Sequence, residues 1–593
     1  MNLPRENNGQ NRKPGKVLVL GQDNRAFLTV IRSLGRRGLQ VHVGWHLPNS
    51  AAIRSKYVSR LHDLPRYLPR EDDWKVSMTS VLRKEKFDLV IPCNDAAIYP
   101  LEAHREEFEQ HTRLAIPEGE AFRTAFSKFK TNDLARSLGI AVPKEDRVTH
   151  PGETDRVVTR LGLPVVVKPE ASFRLDQPDL SGRVFKARSR EELGERLQML
   201  LPAHGELQVQ ETFIGTGVGV EVLAGRGDVL LAFQHLRIHE PLGGGGSSYR
   251  KSVALDPELL DATKKLMKAL AYTGVAMIEY KVNRDNGTWV LVEINGRFWG
   301  SLPLAVSAGA DFPYSLYQLM VEGRQDFPQS YRTGIYCRNL VSDLAWVVRN
   351  FRADKSDPTL ESLASWQVAG ELANVLTLRE RSDTFVKDDI AVGLFEVGAA
   401  TRNLMRRLSR KPRMFLRSFP PVRAFHSRRV RRAMTDASSV LFVCKGNICR
   451  SPFAERYARA VLPASVKVAA AGYYPIHGRS SPEEAVNTAK EMGIDLDDHG
   501  SEVLNEEMVR RSQVILVFDS ENHEYLVRNY PFAGEKVHLI GLLSRVGPVE
   551  ISDPYSKDVS EFRRTYRHIA AAISNIGPKS TVRDSSWSSR HLD

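Results

Sequence analysis

The segment Val440–Pro452 decides how the C-terminal part of the chain is interpreted, and it reads VLFVCKGNICRSP. Its apolar start predicts a buried strand, and the helical periodicity from Phe453 predicts a helix directly after the loop. A loop between a buried strand and a helix N-terminus directs several backbone N–H groups toward one point, where the helix dipole adds positive potential. We therefore expect a site that binds a phosphate dianion and stabilises a thiolate.

The residue types in this loop suit the hydrolysis of phosphate esters. Cys444 can supply the attacking thiolate, and the planar guanidinium of Arg450 can hold two phosphoryl oxygens. Gly446 permits the dihedral angles of a tight loop, and the hydroxyl of Ser451 can stabilise the sulfur as a leaving group. Asp553 lies about a hundred residues downstream, where a carboxylic acid can return to protonate the leaving alkoxide.

Residues 443–452 resemble the signature of the low-molecular-weight protein tyrosine phosphatases, and the similarity covers nearly all of residues 440–576. The resemblance implies hydrolysis of a phosphorylated protein, with phosphotyrosine as the expected group. It carries over a set of catalytic residues, which are Cys444 as nucleophile, Arg450 as phosphate clamp, Asp553 as general acid, and Asn447 and Ser451 as loop-shaping and leaving-group residues. It also implies that Cys449 can form a reversible disulfide with the nucleophile.

Two departures from the family pattern limit what the resemblance implies. His499 to Glu502 replaces the usual basic residues, and Tyr555 stands alone where two aromatic residues often form a wall beside phosphotyrosine. Two alternatives share the fold. An arsenate reductase needs further cysteines downstream, but no cysteine follows Cys449. A catalytically inactive binding module is disfavoured because nucleophile, arginine and acid are all present.

The first half of the chain carries a more dispersed pattern of cations and carboxylates. Lys128 opens a predicted helix, and Lys168 ends an apolar strand. Glu279 lies on one predicted strand, and Glu293 and Asn295 close the next. Nucleotide-dependent ligation needs cations for the triphosphate and hard oxygen ligands for Mg²⁺. Each residue alone also fits an ordinary solvated side chain, so it is their order and spacing that favour a nucleotide site.

This order resembles the ATP-grasp superfamily, in the branch that contains biotin carboxylase and the large carbamoyl phosphate synthetase. The similarity covers about residues 16–325 and implies ATP and Mg²⁺ as cofactors, with Lys128, Lys168 and Glu211 binding the nucleotide. The implied chemistry is phosphoryl transfer to an unknown carboxylate followed by attack of an amine, with Arg297 stabilising the acyl phosphate. The alternative is a non-catalytic ATP-sensing module that regulates the phosphatase.

The net charge of +13 is concentrated in one segment. No acidic residue lies between Glu396 and Asp436, whereas twelve Lys or Arg residues do, so the rest of the chain is nearly neutral. Nucleic-acid binding is therefore excluded as an interpretation of the whole protein. We expect a solvated basic linker over residues 402–432, and the alternative is an interfacial segment on anionic lipid, in a chain that acts as a membrane-recruited scaffold.

These patterns together predict an α/β multidomain chain. The four cysteines suit a reducing compartment, and Met1 to Lys16 does not resemble a signal peptide, so a cytoplasmic location is expected. The predicted boundaries are 1–15 disordered, 16–115 a pre-ATP-grasp α/β domain, 116–330 an α+β ATP-grasp domain, 331–400 a helical extension, 401–437 a basic linker, 438–578 a phosphatase domain with a four-stranded parallel sheet, and 579–593 a disordered tail.

Overall fold

A computed structural model describes residues 14–576 except 24, 45–49, 70, 178–181, 183, 242–244, 354–361, 377–379, 409–418, 475–476, 545–546 and 556. The chain divides into two compact units, Met1–Thr401 and Arg402–Asp593. The two ends predicted as disordered, 1–15 and 579–593, lie almost entirely outside the described residues.

The first domain is a parallel sheet of five strands in the order β3-β2-β1-β4-β5. Its strands are β1 Lys16–Leu20, β2 Gln40–Gly44, β3 Val58–His62, β4 Leu89–Pro92 and β5 Arg113–Leu114, and its helices are Ala26–Arg36, Asp73–Glu85, Asp95–Ala103 and Arg105–Phe108. The strand order reverses between β1 and β4, and a crevice opens at such a switch point beyond the carboxyl ends of the strands. The residues that follow β1 and β4 therefore lie where parallel sheets bind ligands.

The next domain contains two sheets. A four-stranded sheet has the order β6-β9-β7-β8, and a seven-stranded sheet has the order β14-β13-β10-β11-β12-β15-β16. The strands are β6 Glu145–Val148, β7 Val165–Pro169, β8 Phe185–Ala187, β9 Leu207–Glu211, β10 Thr216–Gly225, β11 Asp228–His239, β12 Tyr249–Val253, β13 Gly274–Val282, β14 Trp289–Asn295, β15 Tyr336–Arg338 and β16 Arg381–Ser382. Their helices are Gly119–Ala125, Lys128–Ser137, Thr154–Leu161, Arg190–His204, Pro257–Ala269, Leu302–Ala308 and Phe312–Tyr317. One apolar core joins the first parallel sheet to the seven-stranded sheet, which fixes both sides of the site described below.

Residues 331–400 are not only the helical extension that the sequence predicts. They form the helices Leu340–Arg352, Ser365–Leu376 and Ile390–Leu408, but β15 and β16 also add two strands to the edge of the seven-stranded sheet. Strands of three and two residues are too short to show a period in the sequence, which is why the pattern predicted helices alone. Arg32 anchors the extension by donating to Asp389 Oδ2 at 2.8 Å.

The second unit is built on a parallel sheet of four strands in the order β18-β17-β19-β20, which confirms the predicted fold class. Its strands are β17 Ser439–Cys444, β18 Lys467–Gly472, β19 Val514–Val517 and β20 Val537–Leu539. The helices are Arg450–Val461, Glu483–Lys490, Glu506–Arg511, Ser520–Asn529 and Val559–Ser574. Since β17 has a neighbouring strand on each side, its last residue, Cys444, lies at the centre of the carboxyl edge of the sheet.

Part of the expected basic linker is a helix, Pro420–Thr435, that packs on the second unit. Val430 and Met434 lie in the core of that unit, and Arg423 donates to the carbonyl oxygens of Gly541, Ser544 and Gly547. Two prolines open the helix in its first turn, where a missing N–H costs nothing, so they start the helix rather than prevent it. Residues 409–418 of the expected linker lie outside the described residues.

Across the described residues, none of the helices combines the length and apolar character needed to cross a membrane.

Candidate active sites

The loop after β17 surrounds the sulfur of Cys444 with hydrogen-bond donors. The backbone N–H of Asn447 donates to Cys444 Sγ at 3.2 Å, and Ser451 Oγ lies 3.1 Å from the same sulfur. The helix Arg450–Val461 begins at the end of this loop, so its N-terminus faces the site. The geometry is that of a nest of N–H groups that favours negative charge on the sulfur and on a bound anion.

Asn447 fixes the shape of the loop. Its φ of +50° lies in the left-handed region, where asparagine is tolerated better than most residues. Its side chain donates to Ser451 Oγ at 2.9 Å and accepts from the Glu502 N–H at 2.7 Å. Gly472 makes room for this conformation, because a Cβ there would lie 2.7 Å from the Asn447 nitrogen.

The segment from His499 to Glu502, which departs from the family pattern, supports the same loop. His499 Nε2 donates to the Asn447 carbonyl oxygen at 2.6 Å, and the Glu502 N–H meets the Asn447 side chain. Burial lowers the pKa of His499 although that hydrogen bond opposes the shift, so the ring is neutral at pH 7. The segment thus holds the loop through neutral hydrogen bonds rather than through the basic side chains usual in the family.

Arg450 joins the loop to two carboxylates. Its Nη1 donates to Asp519 Oδ2 at 2.6 Å and its Nη2 donates to Asp553 Oδ2 at 2.6 Å. Burial opposes the charge, but Asp553, the Cys444 sulfur and Asp519 outweigh it and raise the pKa of Arg450. Its buried Nε has no acceptor among the described residues, so one N–H of the guanidinium remains for an incoming oxyanion.

The first unit brings Lys128, Lys168, Glu293 and Asn295 together. Glu279 and Glu293 are direct partners on the antiparallel strands β13 and β14, and Asn295 Nδ2 donates to Glu293 Oε1 at 2.9 Å. Burial lowers the pKa of Lys168 to about 8, although Glu293 opposes this shift. Burial resists ionisation of Glu293, but the two lysines and Asn295 outweigh it and lower the pKa of that carboxyl.

Two further ion pairs complete this cluster. Arg237 on β11 holds both oxygens of Glu279, at 2.7 and 2.6 Å. Arg297 donates to Asp95, which follows β4 of the first domain, at 2.5 Å. Both arginines are therefore neutralised by carboxylates inside the protein.

A cavity of about 180 Å³ lies between these groups and the first domain. Its lining includes Arg25, His235, Arg237, Glu293, Arg297 and Ser301. Arg25 follows β1 at the switch point of the parallel sheet, and its Nη1 donates to the Ser247 carbonyl oxygen at 3.1 Å. No carboxylate of the described residues lies within 4 Å of its guanidinium, and Asp383, Asp23 and Glu396 act on its charge only from a greater distance.

Glu211 is placed apart from the lysine cluster, at the end of β9. Its carboxylate accepts from the Lys144 N–H at 2.9 Å, and its own N–H donates to the Lys144 carbonyl oxygen at 2.9 Å. The side chain therefore extends the pairing of β9 to the residue that precedes β6 in the same four-stranded sheet.

Comparison with known proteins agrees with this geometry at the C-terminus. Residues 439–584 match the family model described as low molecular weight phosphotyrosine protein phosphatase. The chain is 39% identical over 129 residues to AmsI of Erwinia amylovora, described as a probable low molecular weight protein-tyrosine-phosphatase, and the match covers 22% of this chain and 88% of AmsI. It is 36% identical over 134 residues to the phosphatase Etp of Escherichia coli K12, covering 23% of this chain and 88% of Etp.

This chain belongs to the low-molecular-weight protein-tyrosine-phosphatase family. The predicted membership is confirmed, and the second unit is its phosphatase domain. Residues 204–340 match a family model described as ATP-grasp in the biosynthetic pathway with Ter operon, so the phosphatase is fused to an ATP-grasp domain. Biotin carboxylase from Campylobacter jejuni aligns with a TM-score of 0.45 and 16% identity, over 55% of this chain and 74% of that one.

Sequence reasoning missed two residues that contact these sites, namely Asp519 and Arg25. Asp519 lies just beyond β19, and β19 neighbours the nucleophile strand β17 in the phosphatase sheet. Since the carboxyl ends of neighbouring parallel strands meet at one edge, that position was a detectable signal for Asp519. Arg25 reaches the ATP-grasp cavity from the first domain through tertiary packing, which a local sequence pattern does not show.

Proposed function

We propose that the phosphatase domain hydrolyses protein phosphotyrosine through a phosphocysteine on Cys444. The convergence of the Asn447 N–H and the Ser451 hydroxyl on the Cys444 sulfur carries this proposal, because both favour the thiolate as attacking and as leaving group. Arg450 and Asp553 supply the phosphate clamp and the acid, and they already contact one another.

The first step transfers the phosphoryl group to sulfur. Phosphoryl oxygens replace the Asp553 carboxylate on Arg450, and the freed carboxylate takes up a proton from solvent. The Cys444 thiolate then attacks phosphorus, the P–O bond to the phenol breaks, and Asp553 gives its proton to the leaving oxygen. The products of this step are the free phenol, the phosphocysteine and the Asp553 carboxylate.

The second step releases phosphate. Asp553, now a carboxylate, takes a proton from a water molecule that attacks phosphorus, and the S–P bond breaks. The electron pair returns to the Cys444 sulfur, where Ser451 and the loop N–H groups stabilise it. Inorganic phosphate leaves, and Asp553 gives its proton to solvent as the carboxylate binds Arg450 again.

Turnover of a chromogenic aryl phosphate and of phosphotyrosyl peptides tests this assignment. Cys444→Ser should abolish both activities, and Cys93→Ala, a buried cysteine in the other unit, should leave both unchanged. Undiminished turnover by Cys444→Ser would contradict the phosphocysteine. Aryl phosphate turnover without any turnover of phosphotyrosyl peptides would contradict the proposed substrate.

We further propose that the ATP-grasp domain binds Mg·ATP and joins a carboxylate to an amine. The donor set fits the group: the half-buried Glu279, Glu293 and Asn295 would hold Mg²⁺ through oxygens, and the buried Lys128 and Lys168 would neutralise the phosphates. Bound Mg·ATP supplies the phosphoryl group that activates the acid. Arg297 lies beside Glu293 and Asn295, where it can stabilise an acyl phosphate.

Arg25, whose guanidinium has no carboxylate of the described residues within 4 Å, supports an anionic acid as the substrate of this domain. The cavity already contains Arg237 and Arg297, but each of these is paired with a carboxylate. Arg25 therefore offers the guanidinium that a substrate carboxylate can bind without breaking an internal ion pair.

Two measurements test this second proposal. Mg·ATP affinity should be lost in the triple variant with Lys128→Ala, Lys168→Ala and Glu293→Ala, whereas exposed Lys130→Ala should bind normally. ADP formation is then measured across a panel of acids and amines. Binding of ATP without ADP formation on any pair would favour the alternative, an ATP-sensing module that regulates the phosphatase.

A further inference from the structure

The exposed apolar side chains of this protein are concentrated in one part of the chain. Of the nineteen large hydrophobic residues that are exposed among the described residues, eleven lie between residues 344 and 425. This span is about a seventh of the chain, so the concentration is well above an even distribution. Single exposed apolar residues need no explanation, but a concentrated set indicates a surface that binds something apolar.

The exposed residues of the helix Leu340–Arg352 form a stripe. Leu344, Val348 and Phe351 are spaced by four and three residues, so they share one helical face, and they are 60%, 51% and 55% exposed. Arg349 and Arg352 are exposed beside them. The opposite face carries the buried Trp346 and packs on the ATP-grasp domain, so the apolar stripe is not required for folding.

The helix Ile390–Leu408 repeats this arrangement. Ile390, Leu394, Val397 and Leu404 follow one another at intervals of four, three and seven residues, and all are exposed. Met405 is exposed next to Leu404. Among the described residues, this helix therefore has an exposed apolar face of its own.

The helix Pro420–Thr435 contributes positive charge through three exposed arginines. Its inner face is fixed on the phosphatase domain by Val430 and Met434, whereas Phe425, Arg428, Arg429 and Arg432 share an outer face at helical spacing. Phe425 is 66% exposed. Among the described residues, no carboxylate lies within ion-pair distance of these three arginines, and the sequence has no acidic residue from 397 to 435.

We propose that each of these three helices binds the surface of an anionic membrane with its own exposed face. Arginines beside exposed apolar residues are typical of helices that lie in a bilayer interface, with guanidinium groups on the headgroups and apolar side chains beneath them. A nucleic acid would use the arginines but not the stripes of leucine and valine. The binding is peripheral, and it requires no helix that spans the membrane.

Vesicle sedimentation of the full-length chain tests the proposal. Vesicles of 30% phosphatidylserine in phosphatidylcholine should pellet the protein, and pure phosphatidylcholine should pellet much less. Raising the salt concentration from 0.1 to 0.5 M should weaken binding, because it screens the arginines. The triple variant Arg428→Gln, Arg429→Gln, Arg432→Gln should lower the partition coefficient about 100-fold, since each arginine near an anionic surface contributes roughly fivefold.

Matched variants separate this surface from a general effect of charge or apolar area. Replacing Arg510, Arg511 and Arg564 by Gln removes the same charge from exposed positions of the phosphatase domain and should change binding less than twofold. The double variant Leu344→Ser, Val348→Ser should bind at least tenfold more weakly, while Leu61→Ser, Val76→Ser should not. Circular dichroism and thermal unfolding of the full chain verify that every variant is folded.

Three results would overturn the proposal. One is equal sedimentation with neutral and anionic vesicles, and another is equal loss in test and control variants. The third is a dimer, detected by light scattering, that the Leu344 and Val348 substitutions dissociate while vesicles leave the protein in solution; the apolar faces would then bind a second copy of the chain.

Discussion

At the scale of single residues, the phosphatase site depends on how Arg450 is held. Asp519 and Asp553 bind opposite nitrogens of the same guanidinium, but only Asp553 is predicted to take part in proton transfer. Asp519 is better described as a positioning residue, because it touches Arg450 and not the reacting atoms. It also accepts from the Asn522 N–H and so caps the helix Ser520–Asn529.

Asp519→Asn isolates this positioning role. Asparagine retains the helix cap but loses the charge that holds Arg450, so we expect kcat/KM for an aryl phosphate to fall roughly 10- to 100-fold. The thermal stability of the domain should stay near that of the wild type. Asp498→Asn, an exposed ion-paired aspartate, is the control, and an unchanged kcat/KM in Asp519→Asn would refute the role.

The lowered pKa of Lys168 predicts how ATP affinity depends on pH. With a pKa of about 8 in the free protein, Lys168 is charged below pH 8 and neutral above it, while bound phosphates favour the charged form. Affinity should thus be constant below pH 8 and about tenfold weaker at pH 9. Calorimetric titration with Mg·ATP measures this, and Lys168→Arg should remove the decline since arginine stays charged. A decline of equal size in that variant would assign the effect to another group.

At the scale of secondary-structure elements, a buried charge network fastens the extension to the ATP-grasp sheet. His239, at the end of β11, lies between Asp343 at 2.7 Å and Glu371 at 2.6 Å, and its ring stacks on Trp346. Burial opposes protonation, but the two carboxylates outweigh it and raise the pKa of His239. The charged ring therefore joins the helices Leu340–Arg352 and Ser365–Leu376 to the sheet.

This network makes the stability of the extension depend on pH. A raised pKa in the folded state means that the stabilisation is complete below the unfolded value near 6.5 and is lost as pH rises through the folded value. We expect the helix Leu340–Arg352 to lose about 1 kcal/mol or more of local stability in alkaline solution. Hydrogen exchange of its amides, corrected for intrinsic rates, measures the loss. His239→Gln should show no such pH dependence.

The elements also show which features were predictable from sequence. The loop from Cys444 to Ser451 could be predicted because strand, loop and helix are consecutive, so the local pattern contains the whole site. Glu279 and Glu293 could be paired because a short turn joins their strands. Arg25 reaches its site through tertiary packing alone, and β15 and β16 are too short for a period. The basic helix was missed because its core contacts are only Val430 and Met434, among many arginines.

At the scale of the whole molecule, the chain contains two compact units with separate sites. Each unit has its own apolar core, and the residues of each site come from one unit. Ligand binding should therefore stabilise one unit at a time, because a ligand raises stability only in the part that binds it.

Calorimetry of the full chain can test this independence. Mg·ATP at a hundredfold excess over its Kd should stabilise only the ATP-grasp unit, by about 2.7 kcal/mol, and tungstate, an oxyanion that resembles phosphate, should stabilise only the phosphatase unit. Glu293→Ala should remove the first shift and leave the second. A single transition that both ligands raise together would contradict independent units.

The contact between Arg450 and Asp553 means that, in the resting enzyme, an internal carboxylate competes with the substrate phosphate for the guanidinium. A molecule that enters the site must bind the guanidinium more strongly than the Asp553 carboxylate does. Water or a neutral hydroxyl cannot bind it so strongly. An oxyanion with several acceptors can bind more strongly, and its binding to Arg450 releases Asp553 for proton transfer. We therefore expect Asp553 to act as the acid only after a phosphate has displaced it from Arg450. An inhibitor that binds Arg450 through one acceptor would not displace Asp553. Effective inhibitors should therefore carry at least two hydrogen-bond acceptors for Arg450.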